Sequence, residues 1–109
     1  MKKIILLPIF WLLSATAYGQ ITVTHFNAGW NSANDVQWVD KLSDCDVTKV
    51  DIAANPKLQQ KHNVVVVPTI IVYQDGEEVK RFQADLSFKV AATREELQDY
   101  IDELIMSAF

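Results

Sequence analysis

The stretch that most constrains the fold is a nearly uninterrupted apolar run over residues 64–73, rich in valine and isoleucine. β-Branched residues favour strands, and a strand that is apolar throughout is typical of a position covered on both faces of a sheet. Asp75-Gly76 follows directly and is the strongest short signal for a hairpin. We therefore expect a buried central strand that ends in a tight turn and pairs antiparallel with a strand over residues 78–82.

Hydrophobic spacing and capping residues predict the other elements. Residues 21–26 and 47–52 are apolar and β-branched enough to form two further strands. Residues 55–56 are an Asn-Pro pair, which places proline at the first position of a short helix. Residues 93–96 form a capping box that opens the last helix. The apolar face predicted for that helix consists of Leu97, Tyr100, Ile101, Leu104 and Ile105.

A helix is also predicted between the first two strands. It begins at Ser32, with Asp35 as its capping-box partner, and Val36, Val39 and Leu42 recur at helical spacing. A helical crossover makes the first two strands parallel. The sequence thus predicts an α/β domain of order strand, helix, strand, helix, strand, strand, helix, with helices on both faces of one mixed four-stranded sheet.

Residues 83–92 fit two interpretations, because apolar and polar residues alternate there. The segment either continues the sheet as an edge strand or lies across the surface. Leu86 and Phe88 accordingly either pack in the core or form an exposed apolar patch for a partner.

The first 19 residues have the pattern of a secretory signal peptide. Two lysines precede an apolar stretch about half the length of a membrane span, and small residues follow it. We expect residues 20–109 to form one domain, periplasmic or secreted, without a lipid-attachment cysteine and without membrane association after cleavage. Loss of Lys2 and Lys3 would lower the formal net charge from −4 to about −6, which does not favour nucleic-acid binding.

The chain contains a single cysteine, Cys45, so it can form no internal disulfide. A structural thiol is the favoured interpretation, while a reactive thiol or an intermolecular disulfide remains open in an oxidising compartment. The two histidines, His25 and His62, do not cluster with other ligands, so no metal or other cofactor is expected.

Two short motifs carry a resemblance to a known family. Phe26, Ala28 and Trp30 end the first predicted strand, and Val67-Pro68-Thr69 opens the third. With the element order, they resemble the thioredoxin family over residues 21 to about 106. The resemblance implies the sheet order second, first, third, fourth, and a cis-proline at Pro68. It also implies that Pro68 and Thr69 lie beside residues 30–34, where family members present backbone groups to an extended peptide.

The departures from that family concern its chemistry. Asn31 and Asn34 stand where the family has its two cysteines, and His25 matches the position of its buried acid. Disulfide exchange needs a thiolate to attack and a second thiol to resolve the mixed disulfide, and a carboxamide does neither. The alignment therefore implies a member without the ordinary redox reaction.

The sequence predicts a peptide- or protein-binding module, monomeric or weakly dimeric, rather than an enzyme. The predicted binding residues are Trp30, Asn31, Ser32, Asn34, Val67, Pro68 and Thr69. At the junction, residues 26–34, Asn31, Ser32 and Asn34 either only cap the helix, or Asn31 and Ser32 donate hydrogen bonds to a bound peptide carbonyl or anion. The main alternative is a monothiol redox or sensor protein that uses Cys45. A non-redox enzyme holding a small molecule through Ser32 or Asn31, and a subunit that dimerises through a sheet edge or Cys45, rank lower.

Overall fold

A computed structural model describes residues 20–107, and the predicted signal peptide lies outside them. One mixed sheet has the strand order β2-β1-β3-β4. β1 and β2 are parallel, whereas β1 with β3 and β3 with β4 are antiparallel. The predicted α/β class, the sheet order and the strand directions are confirmed. The strands are β1 (Ile21–Asn27), β2 (Asp46–Asp51), β3 (Thr69–Gln74) and β4 (Glu77–Gln83).

The β3–β4 hairpin confirms the central part of the prediction. Ile70, Ile71 and Val72 are fully buried, as expected for a strand between β1 and β4. Asp75 and Gly76 have positive φ values of 54° and 86°, which matches a two-residue turn whose twist suits the flanking strands. The first half of the apolar run is not a strand, however.

Residues 64–68 form an irregular segment before β3. Val64 and Val67 are buried, whereas the Val65 side chain is 76% exposed. The peptide bond between Val67 and Pro68 is cis. Proline has no N–H to give to a sheet ladder, and hydrogen bonding in β3 begins at the next residue. Composition alone does not reveal this break, because valine favours a strand whether or not its backbone is paired.

Alternation along the strands builds a core on each face of the sheet. On one face Val23, Ile70 and Val72 pack with apolar residues of the last helix, α2 (Arg94–Ser107). On the other, Phe26 and Ile71 pack with Val64, next to the short helix α1 (Pro56–Lys61). The helix over residues 56–61 begins with proline as predicted.

The capping box of α2 is confirmed in both directions. The backbone N–H of Glu96 donates to Oγ1 of Thr93 at 3.1 Å, and the N–H of Thr93 donates to Oε1 of Glu96 at 3.2 Å. Leu97 and Ile101, one turn apart, are fully buried. Within residues 20–107, no helix combines the length and apolar character needed to span a bilayer.

The predicted helix between β1 and β2 is wrong in type and in its start. Two short 3₁₀ helices replace it: η1 (Gly29–Asn34) and η2 (Gln37–Lys41). Ser32 lies inside η1 and makes no capping-box contact, and Asp35 ends that helix in an extended conformation.

The buried face of this segment is nevertheless the predicted one. Val36, Val39 and Leu42 are 8%, 0% and 8% exposed. Their spacing of three residues equals the period of a 3₁₀ helix, although over so short a segment it also fits one face of an α-helix. Asparagine, serine and aspartate also offer the backbone alternative hydrogen bonds, which weakens an α-helix at this point.

Candidate functional site

Asn27, at the end of β1, is the centre of a buried amide network in the junction. It is 4% exposed. Its Nδ2 donates to the backbone oxygen of Asn31 at 3.0 Å and to Oδ1 of Asp35 at 2.6 Å. Its Oδ1 accepts from Nδ2 of Asn31 at 3.0 Å. One side chain therefore ties β1 to the middle of η1 and to Asp35, which follows its end.

Asn31 is fully engaged inside this network. Its side chain donates to Asn27, and its Oδ1 accepts from Nδ2 of Asn34 at 2.8 Å. Asn31 is 6% exposed, and Asn34 is half-buried. The geometry thus supports a structural role for both asparagines, and of the three polar residues predicted to bind, Ser32 is the exposed one.

Asp51, at the end of β2, hydrogen-bonds to the backbone of the turn between β1 and η1. Its Oδ1 accepts from the N–H groups of Gly29 at 3.1 Å and Ala53 at 2.9 Å. A Cβ on Gly29 would lie 3.1 Å from Oδ2 of Asp51, tighter than an ordinary contact. A larger residue at this position would therefore require the Asp51 carboxylate to shift by a few tenths of an ångström.

His25 lies beneath the break between η1 and η2. It is 4% exposed, and its Nε2 accepts the backbone N–H of Val36 at 3.0 Å. Burial lowers its pKa below the ordinary 6.5, and Lys49 adds to the lowering, whereas Asp35 and Asp40 oppose it. The imidazole is therefore held neutral, with its proton on Nδ1, because Nε2 accepts.

Trp30 stands out from the junction with its side chain 70% exposed. Its ring meets Phe88 edge-on, with the centroids 5.9 Å apart and the planes at 88°. Phe88 is 45% exposed, and Leu86 is fully exposed. We call Trp30, Leu86 and Phe88 the Trp30–Phe88 patch. Of the two interpretations of residues 86 and 88, the exposed one describes the structure.

Leu86 and Phe88, two of the three residues of this patch, lie on a short loop after β4. Asp85 accepts hydrogen bonds from the N–H groups of Ser87 and Lys89 and from the Ser87 hydroxyl. These bonds, those from Ser87 above all, lower the pKa of Asp85. Phe88 has a φ of 64°, and its N–H donates to the oxygen of Asp85. The edge-strand interpretation of residues 83–92 is therefore wrong beyond Gln83, since the backbone turns on itself instead of pairing with a strand.

The cis-proline segment lies at the same end of the sheet. Thr69 pairs in register with Phe26 on one side and Gln83 on the other. The N–H of Ala84 donates to the oxygen of Pro68 at 3.0 Å. Five of the seven exposed large apolar side chains within residues 20–107 belong to segments that meet here: Trp30, Val65, Val66, Leu86 and Phe88.

Three residues predicted to bind are buried. Val67, Pro68 and Thr69 all lie below the surface, and the Thr69 hydroxyl donates to the oxygen of Val66 at 2.7 Å. The exposed side chains of this segment are those of Val65 and Val66.

An open groove of 860 Å³ lies between the 3₁₀ helices and β2. It is lined by charged residues, including Asp40 and Lys49, whose side chains form an ion pair at 2.7 Å. Of the residues predicted to bind, which all fall within the described chain, Ser32 alone lines it. Within residues 20–107 no three His, Cys, Asp or Glu side chains are grouped so as to hold a metal ion.

Cys45 is remote from the junction. It directly precedes β2, whose Asp46 pairs with Thr22 near the start of β1, whereas the junction follows the end of that strand. The thiol is half-buried, and burial raises its pKa, with a further rise from Asp46 and Asp44. Both effects disfavour the reactive thiolate.

Comparison with known proteins finds relatives among the thioredoxins. The thioredoxin family model matches residues 32–103. A thioredoxin of Mycobacterium bovis is 35% identical over 65 residues, which are 60% of this chain and 54% of that protein. The chain thus spans about half the length of this curated relative.

Solved structures show the same fold. A point-mutant thioredoxin from Halobacterium salinarum NRC-1 superposes with a TM-score of 0.64 at 23% identity, covering 86% of this chain and 82% of that one. The thioredoxin of Fasciola hepatica gives a TM-score of 0.57 at 26% identity, covering 86% and 89%.

Proposed function

Because this chain belongs to the thioredoxin family, we propose that it is a binding module of that family without disulfide oxidoreductase activity. It holds an extended peptide segment of a partner protein against the Trp30–Phe88 patch and the neighbouring residues 65–68. The observation that carries the proposal is Trp30 itself. Its side chain is largely exposed beyond the carboxyl end of β1 and packs edge-to-face with a second exposed aromatic ring.

Large exposed aromatic side chains are costly to leave in water and are enriched where binding energy concentrates. Exposed apolar residues grouped on one surface favour an interaction site, whereas single ones need no explanation. Trp30 and Phe88 also support each other, so the patch is partly organised before a partner arrives. Preorganisation of this kind lowers the entropy lost on binding.

The absence of redox activity in the proposal rests on the two asparagines. The chain has one cysteine, and it is not at the junction. Asn31 and Asn34 fill the positions where an attacking and a resolving thiol would be needed, and they hydrogen-bond to each other. The proposal also places the protein in the periplasm or outside the cell, on the pattern of residues 1–19.

Substituting Trp30 with alanine is expected to weaken partner binding by about 2 kcal/mol or more, roughly 30-fold, since a central aromatic anchor is lost. Phe88→Ala should weaken binding through the same patch. The measurement is capture of periplasmic proteins on the immobilised protein, followed by titration of each captured protein.

Met106→Ala is the matched control, because Met106 is 73% exposed but lies on α2. It should leave capture unchanged, and all three variants should keep their fold by circular dichroism. Equal capture by wild type, Trp30→Ala and Phe88→Ala would contradict the proposal. Thr69→Arg is unsuitable as a test, since Thr69 is fully buried and the charge would disrupt the core.

The alternative function, a monothiol that reacts through Cys45, is disfavoured by the raised pKa of that thiol. We expect Cys45 in the folded protein to react with iodoacetamide at pH 7.5 more slowly than a free cysteine derivative, and at the free rate in urea. Labelling of the folded protein faster than the free thiol would favour the alternative instead. The measurement is the time course of the mass increase.

A further inference from the structure

His25 makes the hydrogen bond that joins the two 3₁₀ helices to β1. Its Nε2 lies 3.0 Å from the backbone nitrogen of Val36, the residue that links η1 to η2. A neutral imidazole accepts at one ring nitrogen, whereas an imidazolium carries a proton on both and accepts at neither. The contact therefore exists only while His25 is neutral.

The charged groups around His25 come from three elements. Asp35 ends η1, Asp40 lies on η2, and Lys49 lies directly across from His25 on β2. Lys49 is already paired with Asp40 at 2.7 Å, and Asp35 accepts from Asn27. His25 and these three residues line the same open groove, so water and protons reach the ring without unfolding of the core.

We propose that His25 is an acid-sensitive latch: its protonation breaks the bond to Val36 and releases the link between η1 and η2. After protonation, the Nε2–H of His25 and the N–H of Val36 face each other. The Asp35–Val36 peptide must then move so that the Val36 N–H finds another acceptor. Among the charged groups, Asp35 acts most strongly on the ring, and a turn of its carboxylate toward the imidazolium would break its bond with Asn27. The released segment directly follows η1, which carries Trp30. That the latch thereby regulates partner binding rests on the proposed function.

The environment of the His25 ring determines how its stabilising effect changes with pH. Burial lowers the pKa of His25 in the folded protein below its value of about 6.5 in the unfolded chain. The stabilising effect of the neutral ring is therefore complete above about pH 6.5, and it is lost as the pH falls through the folded-state pKa.

The test is a nuclear magnetic resonance titration of the purified protein, expressed from the full 109-residue chain, between pH 7.5 and 4.5. The ring carbon shifts of His25 report its protonation, and the amide shift and hydrogen exchange of Val36 report the latch. We expect the Val36 amide shift to follow the His25 titration. We also expect its protection, corrected for intrinsic exchange, to fall at least tenfold, while the amides of β3 keep theirs.

His25→Gln is the matched variant, because glutamine places a non-titrating acceptor near the position of Nε2. It should keep Val36 protected across the whole range. His62→Gln removes the other histidine, whose Nδ1 lies 2.8 Å from the Tyr73 hydroxyl on the opposite core, and should leave the Val36 transition intact.

Three results would overturn the latch. One is a His25 ring that stays neutral to pH 4.5 in a folded protein, and another is an unchanged Val36 amide while the ring protonates. The third is loss of all folded signals in a single step, which would make the transition global. None of these readouts involves a partner, so a failure of the proposed binding function leaves this test valid.

Discussion

Replacing Asn27 with alanine is expected to lower the free energy of unfolding by about 3 kcal/mol, a large effect for a polar residue. Its buried side chain makes two donor contacts and one acceptor contact. Alanine would leave the Asn31 side-chain amide and backbone oxygen, both in the buried part of the junction, without partners. An unsatisfied buried polar group costs about 1–3 kcal/mol, so the losses accumulate.

Urea denaturation followed by circular dichroism measures this effect, with Asn34→Ala as the matched control. Asn34 makes one side-chain hydrogen bond in the network and is half-buried, so water replaces its contact. We expect that variant to lose at most about 1 kcal/mol. Equal losses in the two variants would mean that Asn27 is not the centre of the network. A cost of less than about 1 kcal/mol for Asn27→Ala would mean the same.

Asn27 was not among the residues that the sequence predicted for the site, although a signal for it exists. Asparagine is depleted in strands, so its presence at the end of an apolar strand indicates a local hydrogen-bonding role. What the sequence does not reveal is the partner. Asn31, Asn34 and Asp35 all follow within eight residues, and which amide pairs with which depends on how the chain leaves β1.

The parts of the fold that were predicted correctly are those where one local rule acts alone. Thr93 and Glu96 form their capping box from positions three residues apart, independently of the rest of the chain. Asp75 and Gly76 supply the two positive φ values that the hairpin requires. Such signals are short-range, and tertiary contacts reinforce them.

Errors arose where two tendencies compete. The spacing of Val36, Val39 and Leu42 fits either helix type over so few residues. The Val36 N–H donates to His25 instead of to a helix carbonyl. This hydrogen bond favours the two short helices over one continuous α-helix. A bond between residues 11 apart in sequence has no local signature. Val67, Pro68 and Thr69 were predicted both to lie in a buried segment and to bind, and the structure buries them. The resemblance places them near the junction without saying which of their atoms reach the surface.

With asparagines in place of both family cysteines, the junction therefore has a structural role. Asn31 is engaged with Asn27 and Asn34, so the residue that would be the nucleophile has become part of the support of η1. Trp30, next to it, remains exposed. Under the proposed function, recognition and chemistry are separable here, because Trp30 lies at a position that the asparagines do not alter.

That separation gives the prediction with the largest effect on activity. In insulin reduction with dithiothreitol as the electron source, we expect the wild-type protein to be indistinguishable from buffer. The double variant Asn31→Cys/Asn34→Cys, in a Cys45→Ala background, should reduce insulin at least about tenfold faster than wild type, because it regains both an attacking and a resolving thiol.

The geometry supports closure of a disulfide in that variant. The backbone of η1 is kinked at Asn31, and the side chains of Asn31 and Asn34 already meet, with Nδ2 of Asn34 2.8 Å from Oδ1 of Asn31. Two cysteines there should bring their Cβ atoms within the reach of a disulfide, about 3.5–4.5 Å. Mass spectrometry after air oxidation should show the loss of two hydrogen atoms within one chain, with oxygen as the oxidant, and both thiols should become unreactive.

Asn31→Cys/Asn34→Ser, in the same background, is the control that separates geometry from the presence of a thiol. Once reduced and freed of dithiothreitol, it can attack insulin but has no second thiol to resolve the mixed disulfide, so it should be trapped as an adduct, whereas the double-cysteine variant should release reduced insulin. If the double-cysteine variant forms its disulfide but remains inactive, the buried position of residue 31 restricts access, and η1 would have to move for catalysis. If wild type itself turns over robustly, the proposed loss of redox function is wrong, and Cys45, the chain's one thiol, becomes the residue to substitute next.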